Sequence, residues 1–173
     1  MGQNETIFYS LFEYNGWSMY IAATEKGLCY TGSQNEPFDE FEKWVNKKWK
    51  NRILLKDDER LTPYVKELVQ YIDGELKEFT CSFDLRGTTF QIDVWNVLLK
   101  IPYAKTICYS DVANMIGNPR AVRAVGTAIG ANPIAIIIPC HRVLGKDGSL
   151  TGYSGGIPVK EKLLQLEGIQ YKQ

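Results

Sequence analysis

Asn132-Pro133-Ile134-Ala135-Ile136-Ile137-Ile138-Pro139-Cys140-His141-Arg142-Val143 is the stretch from which the rest of the chain can be read. Five consecutive apolar residues, four of them isoleucine, predict a short buried strand. A proline on each side limits it, because proline has no N–H for a continuing ladder. The segment delivers Cys140 beside His141, the only histidine in the protein. A buried cysteine is ordinarily inert. An adjacent imidazole and the Arg142 guanidinium would instead favour its thiolate.

Upstream of this stretch, Ser110 to Ile116 and residues 120–131 read as two helices, joined by the turn Gly117-Asn118-Pro119. Helix, short Gly-containing turn, helix is a helix-turn-helix arrangement, and Ser110 is the expected N-cap. The second of these helices is slim: Ala121, Ala124, Gly126, Ala128 and Gly130 leave little side-chain bulk. Such a helix either packs tightly against protein or lets its backbone approach a partner. Arg120 and Arg123 project from it and suit contact with phosphate or a groove. An earlier helix begins at Thr88-Thr89-Phe90-Gln91, buries Phe90, Val94 and Leu98, and stops at Ile101-Pro102. Downstream, Thr151 to Gly156 is a Gly-rich loop without the Gly-Lys-Ser/Thr of a phosphate-binding loop. A last helix runs from Pro158 to Glu167 and ends at Gly168.

The first half has a different texture. Residues 7–14 and 17–23 are rich in aromatic and apolar side chains, with Asn15-Gly16 between them as a hairpin signal. Leu28 to Thr31 is a third strand candidate, and residues 37–50 form an amphipathic helix with Phe38, Phe41, Trp44 and Val45 on one face. Thr62-Pro63 is expected to open a second helix through Ile72, and Phe79 to Leu85 to form another strand. The run Lys47-Lys48-Trp49-Lys50-Asn51-Arg52 reads as a solvated helix end rather than a grip on nucleic acid. A small α+β unit over residues 1–86 and a mostly helical one over 87–173 follow, with the boundary at Arg86-Gly87.

The chain of 173 residues is 45% apolar, enough for a real core in one domain or two small ones. No apolar run has transmembrane length and the polar start lacks a signal-peptide pattern, so the expected location is the cytoplasm, or the nucleus of a eukaryotic cell. Cys29, Cys81, Cys108 and Cys140 form no CxxC pair or zinc-ligand spacing, which fits free thiols in a reducing compartment and no metal site. Zero net charge conceals an asymmetry: residues 1–86 hold eleven basic and fifteen acidic side chains, residues 87–173 nine and five. A modestly basic second half suits a phosphate-bearing partner.

On residues alone, the Cys-His pair admits a cysteine hydrolase, a redox thiol or accidental neighbours. The hydrolase has no oxyanion loop to support it. The segments Gly87-Thr88-x-Phe90-Gln91-x-x-Val94-Trp95, Ile101-Pro102-Tyr103, Tyr109, Ile116-Gly117-x-Pro119, Arg123-Ala124-Val125-Gly126, Asn132-Pro133, Ile138 to Val143, Gly152 to Gly156 and Leu163-Leu164-x-x-Glu167-Gly168 occur in order. Together they resemble the O6-alkylguanine-DNA alkyltransferase family, closely over residues 87 to 169 and loosely before.

The resemblance implies an α+β protein: a small ribonuclease H-like N-terminal α/β domain, then a mostly helical domain carrying the helix-turn-helix and the active-site cysteine. It implies a monomer acting on duplex DNA that carries O6-alkylguanine, with O4-alkylthymine open, and without cofactor or membrane. Cys140 would accept the alkyl group. His141, through water, and Glu167 would form the activating relay, and Asn132 the hinge of the active-site turn. Tyr109 would rotate the 3′ phosphate and donate toward the flipped base, and Lys160 would neutralise charge on the leaving O6. Pro139 and Tyr153 would wall the pocket, while the backbone of Cys140, Val143 and Ser154 reads the guanine edge. Arg123 would fill the space left in the stack, with Arg120, Ala124 and Gly126 on the same DNA-facing helix. Three positions depart from the family pattern: Ala104 where glycine is frequent, Cys108 where Ser or Thr is usual, and Val122 where a small residue stands. Val122 is expected to hold the helix slightly off the groove floor. Val122→Ala should therefore bind duplex DNA more tightly in a titration; equal affinity removes the effect.

Overall fold

The computed structural model describes residues 3–173. The chain divides into two compact units, Met1–Arg86 and Gly87–Gln173.

The first unit is a four-stranded sheet with a helix on each face. β1 (Glu5–Tyr14) and β2 (Trp17–Thr24) form the expected hairpin. Asn15 and Gly16 both take positive φ, +46° and +84°, as a two-residue turn matched to strand twist requires. β3 (Gly27–Thr31) pairs antiparallel with β2, and β4 (Arg52–Lys56) pairs parallel with β1, giving the order β3-β2-β1-β4. Alternation along β1 sends Ile7 and Tyr9 to one face and Phe8 and Ser10 to the other. The first face receives α1 (Phe38–Lys48), whose Phe41 and Val45 close a core with Ile7, Ala22, Cys29 and Tyr30. The second receives α2 (Asp58–Ile72): Ser10 donates to Asp58 at 2.7 Å and the Arg60 guanidinium lies 4.0 Å from the Phe8 ring centre. Phe8, Phe12, Trp17, Tyr30, Phe41, Trp49 and Tyr71 are buried, as their pattern implied, and Tyr9, Tyr20, Phe38 and Trp44 pack partly buried against the core.

Three expectations for this unit are corrected. α2 starts one turn before Thr62-Pro63, because the Asp57 carboxylate accepts from the N–H of Arg60 and caps it there. β4 was hidden behind the basic run; Lys47 and Lys48 do end α1, but Arg52 already belongs to a strand. Residues 79–85 do not form a strand: only residues around Phe83 pair with β3, through Leu28 N–H to Ser82 O at 2.9 Å and Asp84 N–H to Leu28 O at 2.8 Å.

The second unit contains α3 (Thr89–Leu98), β5 (Ile107–Cys108), α4 (Tyr109–Met115), α5 (Val122–Gly130), a 3-10 turn at Cys140–Arg142, β6 (Val143–Leu144) and α6 (Ile157–Leu166). β5 and β6 pair in parallel. α3 opens with a capping box in which Thr88 and Gln91 satisfy each other's backbone N–H groups. α3 packs on α5, and Trp95 Nε1 donates to Ala128 O at 2.9 Å. A Cβ at Gly87 would come within 2.6 Å of the Trp95 ring, which explains the glycine. α4 and α5 form the helix-turn-helix, with Gly117 at φ +75° in the turn. Ser110 is not the cap of α4; Asp111 reaches back to the N–H of Cys108 at 2.9 Å. Among the described residues no helix is long and apolar enough to cross a membrane.

The isoleucine run is buried but is not a strand. Asn132 takes the place of a neighbouring strand: its Oδ1 accepts from Ile134 N–H and its Nδ2 donates to Ile138 O, both at 2.9 Å. The five residues between fold into tight turns. Ile137 N–H donates to Ala135 O at 2.9 Å across Ile136, which sits at φ +71°. This is a γ-turn of the rare, positive-φ kind, held by a β-branched residue and therefore strained. A second one, of the common hand, is centred on Pro139 (φ −80°, ψ 63°), where Cys140 N–H donates to Ile138 O at 2.8 Å. Thr88→Ala should lower stability by about 1 kcal/mol through loss of the α3 cap. The urea midpoint reads it, and an unchanged midpoint would show that the cap contributes nothing.

Candidate active site

Two γ-turns and a 3-10 turn bring Cys140 to the wall of a cavity of about 270 Å³. Glycines give the cavity flat sides: Gly126 and Gly130 from α5, and Gly152 from the Gly-rich loop. Tyr109, Ile129, Tyr153 and Ser154 complete it. Pro139 and Val143, expected at the pocket, are both buried, and neither is among the lining residues. The Val143 side chain belongs to the core, and its carbonyl accepts from Lys160 Nζ at 2.7 Å.

Cys140 is 4% exposed. Burial pushes its thiol above the ordinary value. Hydrogen bonds from the Asn132 side chain and the Tyr153 hydroxyl, and then the Lys160 charge, pull it back only in part. The expectation that His141 and Arg142 favour the thiolate is thus corrected: the resting sulfur is a thiol. Arg142 is turned elsewhere. Its Nε and Nη2 donate to the two oxygens of Glu167 at 2.8 and 3.2 Å, and its Nη1 donates to Ile101 O at 2.7 Å.

Glu167, at the end of α6, is where the polar interior converges. Besides Arg142 it meets His141 Nε2 at 2.6 Å and accepts from the Ala104 N–H at 3.0 Å. His141, Arg142 and Glu167 are all buried, so each charge depends on the others for compensation. Burial pushes the His141 pKa down, against the pull of Glu167 and with the help of the Arg142 and Lys160 charges, leaving a neutral imidazole at physiological pH. Ala104 holds φ +63°, a conformation that glycine adopts without strain, and it does so to aim its N–H at Glu167. Its signal in the sequence was the departure from a pattern in which glycine is frequent there. Arg142 was visible in sequence only as a nearby positive charge.

A second polar cluster stands beside the sulfur. Lys160 is buried, and burial brings it down to about 8, with Cys140 opposing. Its Nζ lies 3.4 Å from Thr151 Oγ1, which is in turn 2.6 Å from the Tyr109 hydroxyl. Tyr109 opens α4 and its ring faces Gly126, where a Cβ would sit 3.9 Å from it. On the outer side of α5, Val122, Arg123, Ala124, Thr127 and Gly130 are exposed, as is Arg120 in the preceding turn, while Val125, Ala128 and Ile129 are buried. The slim helix packs closely inside and leaves a low surface outside.

The protein has one histidine, so its pH response can be assigned. In the unfolded chain it protonates near about 6.5. In the fold its pKa is depressed, so its contribution to stability is complete above that pH and declines below it. Urea midpoints should fall as pH drops from about 7 toward 5, and His141→Gln should flatten that slope. A slope unchanged in the variant would assign it to another group.

The sequence is similar to known proteins along nearly its whole length. Residues 7–85 match the ribonuclease-like domain of 6-O-methylguanine DNA methyltransferase and residues 89–169 match its DNA-binding domain. The inducible methylated-DNA–protein-cysteine methyltransferase of Bacillus subtilis is 52% identical over 162 residues, covering 94% of this chain and 90% of the relative. The methylated-DNA–protein-cysteine methyltransferase of Methanosarcina acetivorans is 42% identical over 164 residues, covering 94% and 99%. Among solved structures, Mycobacterium tuberculosis O6-methylguanine methyltransferase superposes with a TM-score of 0.78 at 40% identity, over 93% of this chain and 92% of the other. Mycobacterium tuberculosis OGT in complex with DNA gives 0.77 at 39% identity, over 94% and 92%. With both halves matched in order, by sequence and by fold, the chain belongs to the 6-O-methylguanine DNA methyltransferase family.

Proposed function

We propose that this chain repairs duplex DNA by moving the alkyl group of O6-alkylguanine onto its own Cys140, once per molecule, after drawing the base out through the minor groove. The observation that carries this reading is the cavity: a buried thiol on the wall of a glycine-flattened slot, beside a helix whose outer face is low and bears Arg123. A base inside a duplex cannot reach a sulfur that is 4% exposed, so the nucleotide must leave the stack. Arg123 has the exposure and reach to fill the gap, and Arg120 to hold phosphate.

In the transfer, the bond from Cys140 Sγ to the alkyl carbon forms as the bond from that carbon to O6 breaks. The thiol gives up its proton through water to His141, whose neutral ring can take it. Glu167 occupies Nε2, so the proton must arrive at Nδ1. The imidazolium so formed is compensated by the Glu167 carboxylate. The electron pair left on the guanine is relieved by donors at the cavity wall, with Tyr109 the nearest to a base entering beside Gly126 and Lys160 as the adjacent cation. The product is a thioether, which has no easy hydrolytic exit, so the sulfur is not regenerated.

Intact-protein mass spectrometry after mixing with a duplex carrying O6-methylguanine should show one methyl gain per chain, mapped to the peptide holding Cys140. Cys140→Ala should gain none and still bind the duplex. Bound duplex with no mass gain in the parent protein would make it a lesion binder, and methylation of Cys29, Cys81 or Cys108 would move the acceptor. Arg123→Ala should slow reaction with the duplex more than with the free alkylated base, and equal losses on both would refute its role in extrusion.

A further inference from the structure

Thr151 lies in the Gly-rich loop and has no role in the account above. Its Oγ1 is 2.6 Å from the Tyr109 hydroxyl and 3.4 Å from Lys160 Nζ. Lys160 also donates to Val143 O at 2.7 Å and reaches Thr151 O at 3.5 Å. The inventory of protons fixes the direction of the lysine bond and permits one for the phenol bond. An ammonium has three donors and no acceptor, so Thr151 Oγ1 accepts from Lys160. Either hydroxyl could donate in the Thr151–Tyr109 contact; with Lys160 already donating to it, Thr151 is free to direct its single proton to the Tyr109 oxygen. A phenol that accepts there keeps its own proton for a partner on another side, and Tyr109 lines the cavity.

We infer that Thr151 is a positioning residue that fixes the Tyr109 hydroxyl as a donor into the cavity, with the Lys160 ammonium setting the polarity of the chain. The inference rests on the proposed transfer for one point only, that the acceptor is the bound guanine. A donor already oriented before charge develops costs no reorganisation as the carbon–oxygen bond breaks. Without the threonine hydroxyl, the phenol proton can turn either to the base or away from it. The charged and titratable groups facing Lys160 are Cys140 and His141, with Tyr109 behind Thr151. A neutral Lys160 could accept from Thr151, and the polarity would then no longer be imposed.

The test is the single-turnover rate of transfer to Cys140 from a duplex carrying O6-methylguanine, for Thr151→Val, Thr151→Ser, Tyr109→Phe and the double variant Thr151→Val/Tyr109→Phe. Thr151→Val should be about tenfold slower, the size of one oriented hydrogen bond. Thr151→Ser should restore the rate to within about twofold. The double variant should be no slower than Tyr109→Phe alone, because the threonine acts through the phenol. Should the valine variant not fold, Thr151→Ala takes its place in the same cycle. A valine or alanine variant at the parent rate, a serine variant as slow as the valine one, or additive losses in the double variant would each overturn the inference. Absence of transfer by the parent protein would instead remove the proposed function, which keeps the two failures apart.

Discussion

A single carboxylate, that of Glu167, organises the interior of the second unit. It takes hydrogen bonds from the backbone of Ala104, from two nitrogens of Arg142 and from the His141 ring. Those partners come from the loop after α3 and from the 3-10 turn, and Glu167 itself from the end of α6. Three segments distant in sequence are thereby held around one buried charge. Such an arrangement is tolerable only when every member is satisfied, since removing one partner leaves the others uncompensated in a poorly solvated interior. The strain carried by Ala104 belongs to the same account. A non-glycine residue at φ +63° costs about 1 kcal/mol, and it is offset by an N–H delivered to the carboxylate.

Around that charge the unit sets a low helix face and a cavity on one shared wall. α5 turns Val125, Ala128 and Ile129 inward against α3 and leaves a low face outward. The same helix supplies Gly126 and Gly130 to the cavity where the sulfur stands. Tyr109 belongs to both sides, since it opens the first helix of the helix-turn-helix and lines the cavity. The low outer face and the cavity are thus adjacent, and the small side chains of α5 are what make the adjacency possible.

Much of this was legible in the sequence, and the exceptions have identifiable causes. The Asn15-Gly16 turn, the Thr88 and Gln91 cap, and Gly168 at φ +70° after α6 are local features whose backbone demands are met by few residues. The isoleucine run misled because apolarity and β-branching report burial, not hydrogen-bond partners. Here a side chain, Asn132, supplies the partners a strand would have offered. β4 was masked because its neighbours' charges outweighed Ile53, Leu54 and Leu55 in a short window. Arg142 reads as a point charge beside a cysteine until the fold turns it toward Glu167, 25 residues further along the chain but adjacent in space. Thr151 sits in a loop whose glycines draw attention away from it, and its two contacts are made by residues from α4 and α6.

The resting state of Cys140 has a bearing on how long the molecule lasts. A thiolate is the form attacked by peroxides and by soft electrophiles in the cell, and susceptibility follows thiolate character and exposure. Cys140 has little of either: burial raises its pKa and leaves it 4% exposed. On the proposed mechanism each chain has one opportunity to react. A nucleophile kept dormant until a base fills the slot is then protected from wasteful oxidation, and shelf life in the cell becomes a property of the same packing that shapes the site.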